Sequence, residues 1–393
     1  MQMEILSVTK LKGKLMKKNV LITGGAGFIG SNLALKLVAL GHSVTVLDNL
    51  SPQIHGSDPE QSPLYCAIKE KVRFIHGTVE STADWLEALT CVDTVVHLAA
   101  ETGTGQSMYQ IKRYSDVNIG GSAIFLDLLA NAPHGITKMI IASSRSIYGE
   151  GKYLCPEHGI VYPLARQDQD MQHGDFNVKC PQCAIDVELM ATDEESKIHP
   201  SSIYGVTKQV QEQMFLITGK ALGIDTVALR FQNVYGAGQS LSNPYTGILS
   251  IFSTRIKNGN DITIFEDGKE SRDFVYIDDV VESIYLSIVS NQVAGNSYNV
   301  GSGVCTDVLT VAETLKRLYS SNSRITISKN YRVGDIRHNY ADLAKIKSDM
   351  NFSPAVTFED GMRKFTDWVN QQDVQQDLYD QSIEEMKLKG LYK

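Results

Sequence analysis

Thr23-Gly24-Gly25-Ala26-Gly27-Phe28-Ile29-Gly30 is the stretch whose reading decides the fold. Asn19–Thr23 before it is short, apolar and β-branched, which predicts a strand. Phe28–Leu40 after it carries apolar residues at helical spacing. Glycines at 24, 27 and 30 permit a tight turn, close approach of a pyrophosphate, and close packing of the helix on the strand. The free N–H groups of the helix start then face the phosphates. A second predicted strand, Ser43–Asp48, ends in an acid 24 residues after Gly24. Its carboxylate can accept from a ribose diol and would repel a 2′-phosphate. Asn49-Leu50-Ser51 adds no cation, so the pattern predicts NAD rather than NADP, held by Gly24, Gly27, Phe28, Ile29, Gly30, Asp48 and Asn49.

Outward from this motif, Val72–Ile75, Asp93–His97 and Lys138–Ala142 read as further strands, with a helical pattern at Val117–Asn131 between the last two. Helix Gly205–Leu222 and strand Thr226–Leu229 repeat the alternation. Such alternation predicts a doubly wound parallel sheet of the Rossmann type, helices on both faces. After residue 236 the pattern is irregular and predicts a smaller mixed α/β substrate-binding region. The divisions expected are an N-terminal extension at 1–18, a cofactor-binding domain at 19–235 interrupted by a turn-rich insertion at 150–200, a substrate-binding region at 236–370, and a polar tail at 371–393, helical or frayed. His97-Leu98-Ala99-Ala100 ends a strand beside the cofactor, with His97 read as a satisfied core histidine and the small residues as cofactor contacts.

The 393 residues are 42% hydrophobic and 21% charged, which suits a globular chain and excludes fibrous or wholly disordered classes. A net charge of −8 argues against nucleic acid or an anionic membrane surface as partner. No apolar run is long enough to span a bilayer. The start lacks a signal-peptide core, and Met16 could serve as an alternative start. With six cysteines in all, a cytoplasmic location is expected. Cys66, Cys91 and Cys305 are expected to be buried and inert.

A Tyr with a Lys four residues on shares one helical face, and the ammonium can lower the phenol's pKa to make a base. Three copies exist, Tyr65/Lys69, Tyr148/Lys152 and Tyr204/Lys208. Glycines at 149 and 151 disfavour a helix at the second, whereas Tyr204/Lys208 opens a long helical run and is the choice made. Ser143-Ser144 ends a strand, where ligands bind in open α/β sheets, so a hydroxyl there can share a substrate oxygen with Tyr204.

TGGAGFIG at 23–30, HLAA at 97–100, Asn118, SSRSIYG at 143–149, YGVTK at 204–208, LRFQNVYG at 229–236, RDFVYIDD at 272–279 and YRVGDIRH at 331–338 together resemble the extended short-chain dehydrogenase/reductases, specifically the nucleotide-sugar epimerases and dehydratases. The resemblance implies Tyr204 as base, Lys208 on the nicotinamide ribose and Ser144 completing a triad. It implies Asn118 as a cofactor contact, and Asn233, Arg272, Arg332 and, more weakly, Arg337 on the sugar nucleotide, the arginines on its diphosphate. Dehydratases of the family carry an Asp-Glu pair directly after the triad hydroxyl, and decarboxylating relatives a Glu. Here Arg145 and Ser146 stand there, which implies epimerisation with retained NAD. Thr78 departs from the Asp many relatives place against adenine. SSRSIYGEG, the cysteine-bearing insertion and Asn243–Gly247 look most like epimerases of the dTDP-L-rhamnose 4-epimerase type. UDP-glucose or UDP-N-acetylglucosamine 4-epimerases and CDP-sugar 2-epimerases are the rivals, and a net oxidoreductase or a non-catalytic NAD-binding scaffold the readings of another class. A homodimer through Val117–Asn131 and Gly205–Leu222 is also implied, as is a place in making surface polysaccharides.

The insertion holds Cys155-Pro-Glu-His158 and Cys180-Pro-Gln-Cys183, with 21 residues between them. Paired Cys-x-x-(Cys/His) units at this separation predict a four-ligand structural zinc site, with His173 as the alternative to His158 and a disulfide as the alternative to metal.

Overall fold

The computed structural model describes residues 17–393 apart from Thr246 and Asn291, so most of the expected extension at 1–18 lies outside the described residues. Strands β1 (Asn19–Thr23), β2 (Ser43–Asp48), β3 (Arg73–His76), β4 (Thr94–His97), β5 (Lys138–Ser144), β6 (Asp225–Phe231) and β7 (Asn296–Val300) form one parallel sheet in the order β7-β6-β5-β4-β1-β2-β3. Successive side chains of each strand go to opposite faces. Val20, Ile22, Val96, Ile140 and Val227 therefore enter one core with Leu33 and Leu37 of α1 (Phe28–Ala39), while Leu21, Val95, Met139, Ile141 and Ala228 enter the other. That second core takes Phe125 and Leu129 of α2 (Gly121–Asn131), Phe215 of α3 (Ile203–Leu222) and Trp85. Every residue of β5 is buried, as the centre of a doubly covered parallel sheet requires. The expected fold class is what the chain adopts.

Chain order reverses between β1 and β4, and the carboxyl ends of these two strands open the crevice where such sheets bind ligands. The helical pattern expected from Val117 begins as a widened π-turn over Ser115–Gly120, beside this crevice. Beyond residue 231 the small elements are mixed. Asn233–Tyr235 pairs with Phe274–Tyr276, Ile262–Ile264 with Ile325–Ile327, and Ser271–Arg272 lies between Thr306–Asp307 and His338–Asn339. The polar tail forms a helix, Tyr379–Leu388, and its last residues pair with the main chain of Tyr331 and Val333. Docking of this kind comes from contacts made by remote segments, which local polarity does not announce.

The expected burial of three cysteines fails. Cys66, Cys91 and Cys305 are all exposed. Cys66 sits on a short surface helix with its thiol toward the Glu60 carbonyl, and Cys91 occupies a turn with φ +62° between a helix and β4. Cys305 rests against the Ser271 hydroxyl at 2.9 Å beside a two-residue strand.

Candidate functional site

Gly24 takes φ +66°, and a Cβ there would stand 2.8 Å from the Ala99 amide nitrogen. A Cβ on Gly30 would stand 2.4 Å from the Gly24 carbonyl oxygen. The first glycine thus lets the loop pass under the end of β4, and the last lets α1 start directly on the turn. Gly27 precedes α1 with no side-chain cap and no acid in the first turn, so the helix N-terminus keeps its N–H groups for a ligand. Asp48 closes this cradle. Its carboxylate accepts from the Ala26 and Leu50 amides, both at 2.9 Å, which ties the end of β2 to the glycine turn.

The cradle is one end of a cavity of about 360 Å³ lined by Gly24, Gly27, Phe28, Ile29, Gly30, Asp48, Asn49, Leu98, Ala99 and Ala100, and at its far end by Ser144, Tyr204 and Lys208. Thr78 lines it as well. Tyr204 and Lys208 lie one turn apart on α3, whose start is capped by the Ser202 hydroxyl accepting from the Gly205 amide at 3.1 Å. The cap fixes where the first turn begins and hence where Tyr204 points. Lys208 donates to the Ala142 carbonyl and to Gln211 Oε1, both at 2.9 Å, and burial pushes its ammonium down to about 7. Burial raises the Tyr204 phenol, while the Ser144 hydroxyl and the Arg145 charge pull the other way. The Ser144 hydroxyl and the Arg145 charge thus favour the phenolate against the effect of burial. Gln211 went unnoticed in the sequence, although its place three residues beyond Lys208 was a usable signal.

His97 is a satisfied core histidine, its ring between Thr23 Oγ1 at 2.8 Å and the Ser122 hydroxyl at 3.3 Å. The side chains of the Tyr148/Lys152 copy are engaged elsewhere. Tyr148 is buried with its hydroxyl donating to Asn299 Oδ1 at 2.8 Å, and Lys152 pairs with Asp193. Asn118 requires a correction. It is fully buried away from the cavity, donating to the Glu101 carbonyl at 3.1 Å and Thr207 Oγ1 at 3.0 Å, and accepting from the Glu101 amide at 2.8 Å. Both donors and one lone pair of its amide tie the segment after β4 to α3, and Asn118 is not among the residues that line the cavity.

A second cavity of about 190 Å³ adjoins through Arg145 and Asn233, which follow Ser144 and Gln232 of the first. Asn233, Arg272 and Arg332 line it, together with Arg145, Glu266, Glu270, Asp335 and, from the tail helix, Tyr379 and Met386. Arg145 donates to Asn233 Oδ1 at 2.9 Å, and burial beside Arg272 pushes its guanidinium down to about 9. Such a crowd of guanidinium groups suits a diphosphate. Arg272 is held by the Ile336 and Arg337 carbonyls, and Arg332 by Asp335 with its guanidinium 5.2 Å over the Phe265 ring. Arg337 does not line the cavity, contrary to expectation. Only 2% of it is exposed, and its guanidinium is consumed by Glu266 and Asp267 at 2.7–2.8 Å. Burial explains this outcome, since an unpaired buried guanidinium would be too costly.

Cys155, His158, Cys180 and Cys183 of the insertion come together, their ligand atoms all within 4.8 Å of one another. His173 is elsewhere, its Nδ1 2.7 Å from the Gln169 carbonyl. Among the described residues no helix is long and apolar enough to cross a membrane.

Compared with known proteins, residues 20–166 and 184–301 match the NAD dependent epimerase/dehydratase family. A dTDP-L-rhamnose 4-epimerase of Burkholderia thailandensis is 32% identical over 90% of this chain and 96% of its own length. The crystal structure of a UDP-glucose 4-epimerase from Thermotoga maritima with UDP-glucose is 27% identical, superposes with a TM-score of 0.73, and is matched over 90% of this chain and 99% of that one. The protein MoeE5, in complex with UDP-glucose and NAD, is 25% identical with a TM-score of 0.71 over 90% of this chain and 99% of its own.

Proposed function

The chain belongs to the NAD dependent epimerase/dehydratase family, and from that premise we propose that it is a nucleotide-sugar 4-epimerase that retains its NAD. The observation that carries this reading is the junction of the two cavities. There Ser144, Tyr204 and Lys208 meet one side, and Arg145 stands beside them where elimination of water would call for a carboxylic acid.

In this reading the glycine turn and the uncapped start of α1 hold the NAD pyrophosphate, Asp48 its adenosine ribose, and Lys208 its nicotinamide ribose. NAD held there would supply reversible hydride transfer, and these residues would hold it in place. Tyr204 takes the proton of the sugar 4-hydroxyl and later gives it back, with Ser144 hydrogen-bonded to the same oxygen. Arg272, Arg332 and Arg145 grip the diphosphate while the 4-keto sugar turns its other face, so the stereocentre inverts without net redox change. dTDP-L-rhamnose is the first substrate in this proposal, supported by the Burkholderia relative. UDP-glucose, UDP-N-acetylglucosamine and, for a 2-epimerase, CDP-sugars follow. The enzyme would work in the cytoplasm as a homodimer and serve the assembly of surface polysaccharide.

Proton NMR of the purified protein with dTDP-, UDP- and CDP-sugars, read beside NADH absorbance, tests the proposal. A new epimer without NADH accumulation is expected, and Tyr204→Phe should slow it by roughly 10²–10⁴-fold. Stoichiometric NADH formation would mean a net oxidoreductase. No turnover, together with cellular function unchanged by Tyr204→Phe, would mean a binding scaffold.

A further inference from the structure

We propose that the insertion is a zinc-clamped lobe in which Cys155, His158, Cys180 and Cys183 bind one structural zinc ion, and that this clamp steadies the wall of the second cavity. Thiolates about 2.3 Å and an imidazole nitrogen about 2.0 Å from a shared tetrahedral centre lie about 3.5–3.8 Å apart. Cys155 Sγ stands 3.5 Å from His158 Nδ1 and 3.7 Å from Cys183 Sγ, and Cys180 Sγ 3.7 Å from His158 Nδ1. The two knuckles also share one backbone design. Each runs ligand-x-x-ligand and then a left-handed residue, Gly159 at φ +69° and Ala184 at φ +59°. Each closes across that turn, Cys155 pairing in register with Gly159, and the Ala184 amide donating to the Cys180 carbonyl at 2.9 Å. Alanine in that conformation is costly, and a metal ligand set is a reason to bear it.

The lobe's own core is small. One buried apolar cluster is five residues, two of them cysteines of the site, a second sets Met171 and Phe176 against Tyr331, and Ile160 and Leu164 are more than half exposed. The matched family segments break between residues 166 and 184, so the second knuckle up to Cys183 lies outside the family match while the first lies within it. Four protein ligands leave no open position, so the ion's role is structural. What it steadies follows from Arg166, which leaves the lobe and grips Glu266 of the second cavity with two hydrogen bonds of 2.8 and 2.7 Å. The same guanidinium reaches the Asp335 carbonyl at 3.1 Å. A loosened lobe would leave Glu266 to Arg337 alone and release the Asp335 carbonyl, the main chain of the residue whose carboxylate holds Arg332.

Metal analysis of the full chain purified without chelator tests the site independently of activity. About one zinc per chain is expected, with the absorption of tetrahedral cobalt–thiolate after exchange. Cys180→Ser should fall to background, and His158→Cys, which keeps four ligands, should stay loaded. A disulfide among these cysteines in the protein as purified, or zinc that survives Cys180→Ser, would overturn the site. The clamp rests on the epimerase reading for its substrate. Zinc-stripped enzyme and Arg166→Met, the latter still holding zinc, should both raise KM for the nucleotide sugar roughly two- to thirtyfold with NAD affinity unchanged. An unchanged KM in both would overturn the clamp and leave the site standing. If no sugar is turned over, the zinc content still decides the site.

Discussion

Lys208 is buried to 3% exposure and its folded-state pKa sits near 7 against the ordinary 10.5. Below about pH 7 the ammonium is charged in both folded and unfolded chains, and the folded one bears the full cost of burying it. Between 7 and 10.5 the unfolded chain binds more protons, so stability rises with pH until the cost vanishes. Lys208→Met should therefore raise the melting temperature of the cofactor-free protein most at pH 6–7 and least near pH 10, while activity collapses. Scanning calorimetry of both proteins across that range checks it, and a constant difference would contradict it. At this scale the sequence was readable where chemistry depends on near neighbours. The glycine spacing and the Tyr204/Lys208 pair are of that kind. Asn118 and Arg337 were misread because their partners, Thr207 and Glu266, arrive from distant segments. Arg145 was seen only as the absence of an acid, not as a wall of the second cavity.

Helix α3 shows how one element sets the chemistry by its placement. A Cβ on Gly205 would lie 2.6 Å from the Ser146 carbonyl oxygen, so glycine at 205 lets the helix start rest against the turn that follows Ser144. Gly205→Ala should push that start outward, moving Tyr204 relative to Ser144. We expect a loss of roughly 1–3 kcal/mol in stability and a fall in kcat larger than any rise in KM. Urea unfolding and steady-state kinetics separate the two effects, and unaltered kcat would show that the contact does not position Tyr204. Strand–helix alternation made the sheet legible, since a parallel strand buried on both faces reads as a continuous apolar run. The tail helix was less legible, because its place beside Tyr245 and Arg255 is made by Glu385, Asp377 and Asp380 across more than a hundred residues.

For the whole molecule, α2 and α3 pack side by side, and α3 leaves Ile217 69% and Val206 41% exposed. On the dimer reading these side chains are covered by a second copy. Ile217→Asp should convert a dimer into a monomer in analytical ultracentrifugation, and a wild-type monomer would contradict it. The insertion joins this molecule at several points, among them Thr192, Glu194 and, through Arg166, Glu266. The Glu266 carboxylate answers two arginines, Arg166 from the lobe and Arg337 from the body. Placing the two cations on one acid makes the lobe and the acid a single heritable unit. A lineage that deletes the insertion leaves Glu266 with one partner, whereas a lineage that changes Glu266 leaves Arg166 buried without its chief partner. Among descendants of this chain the two traits should therefore be lost together, and a phylogeny of such sequences would show paired loss rather than independent drift.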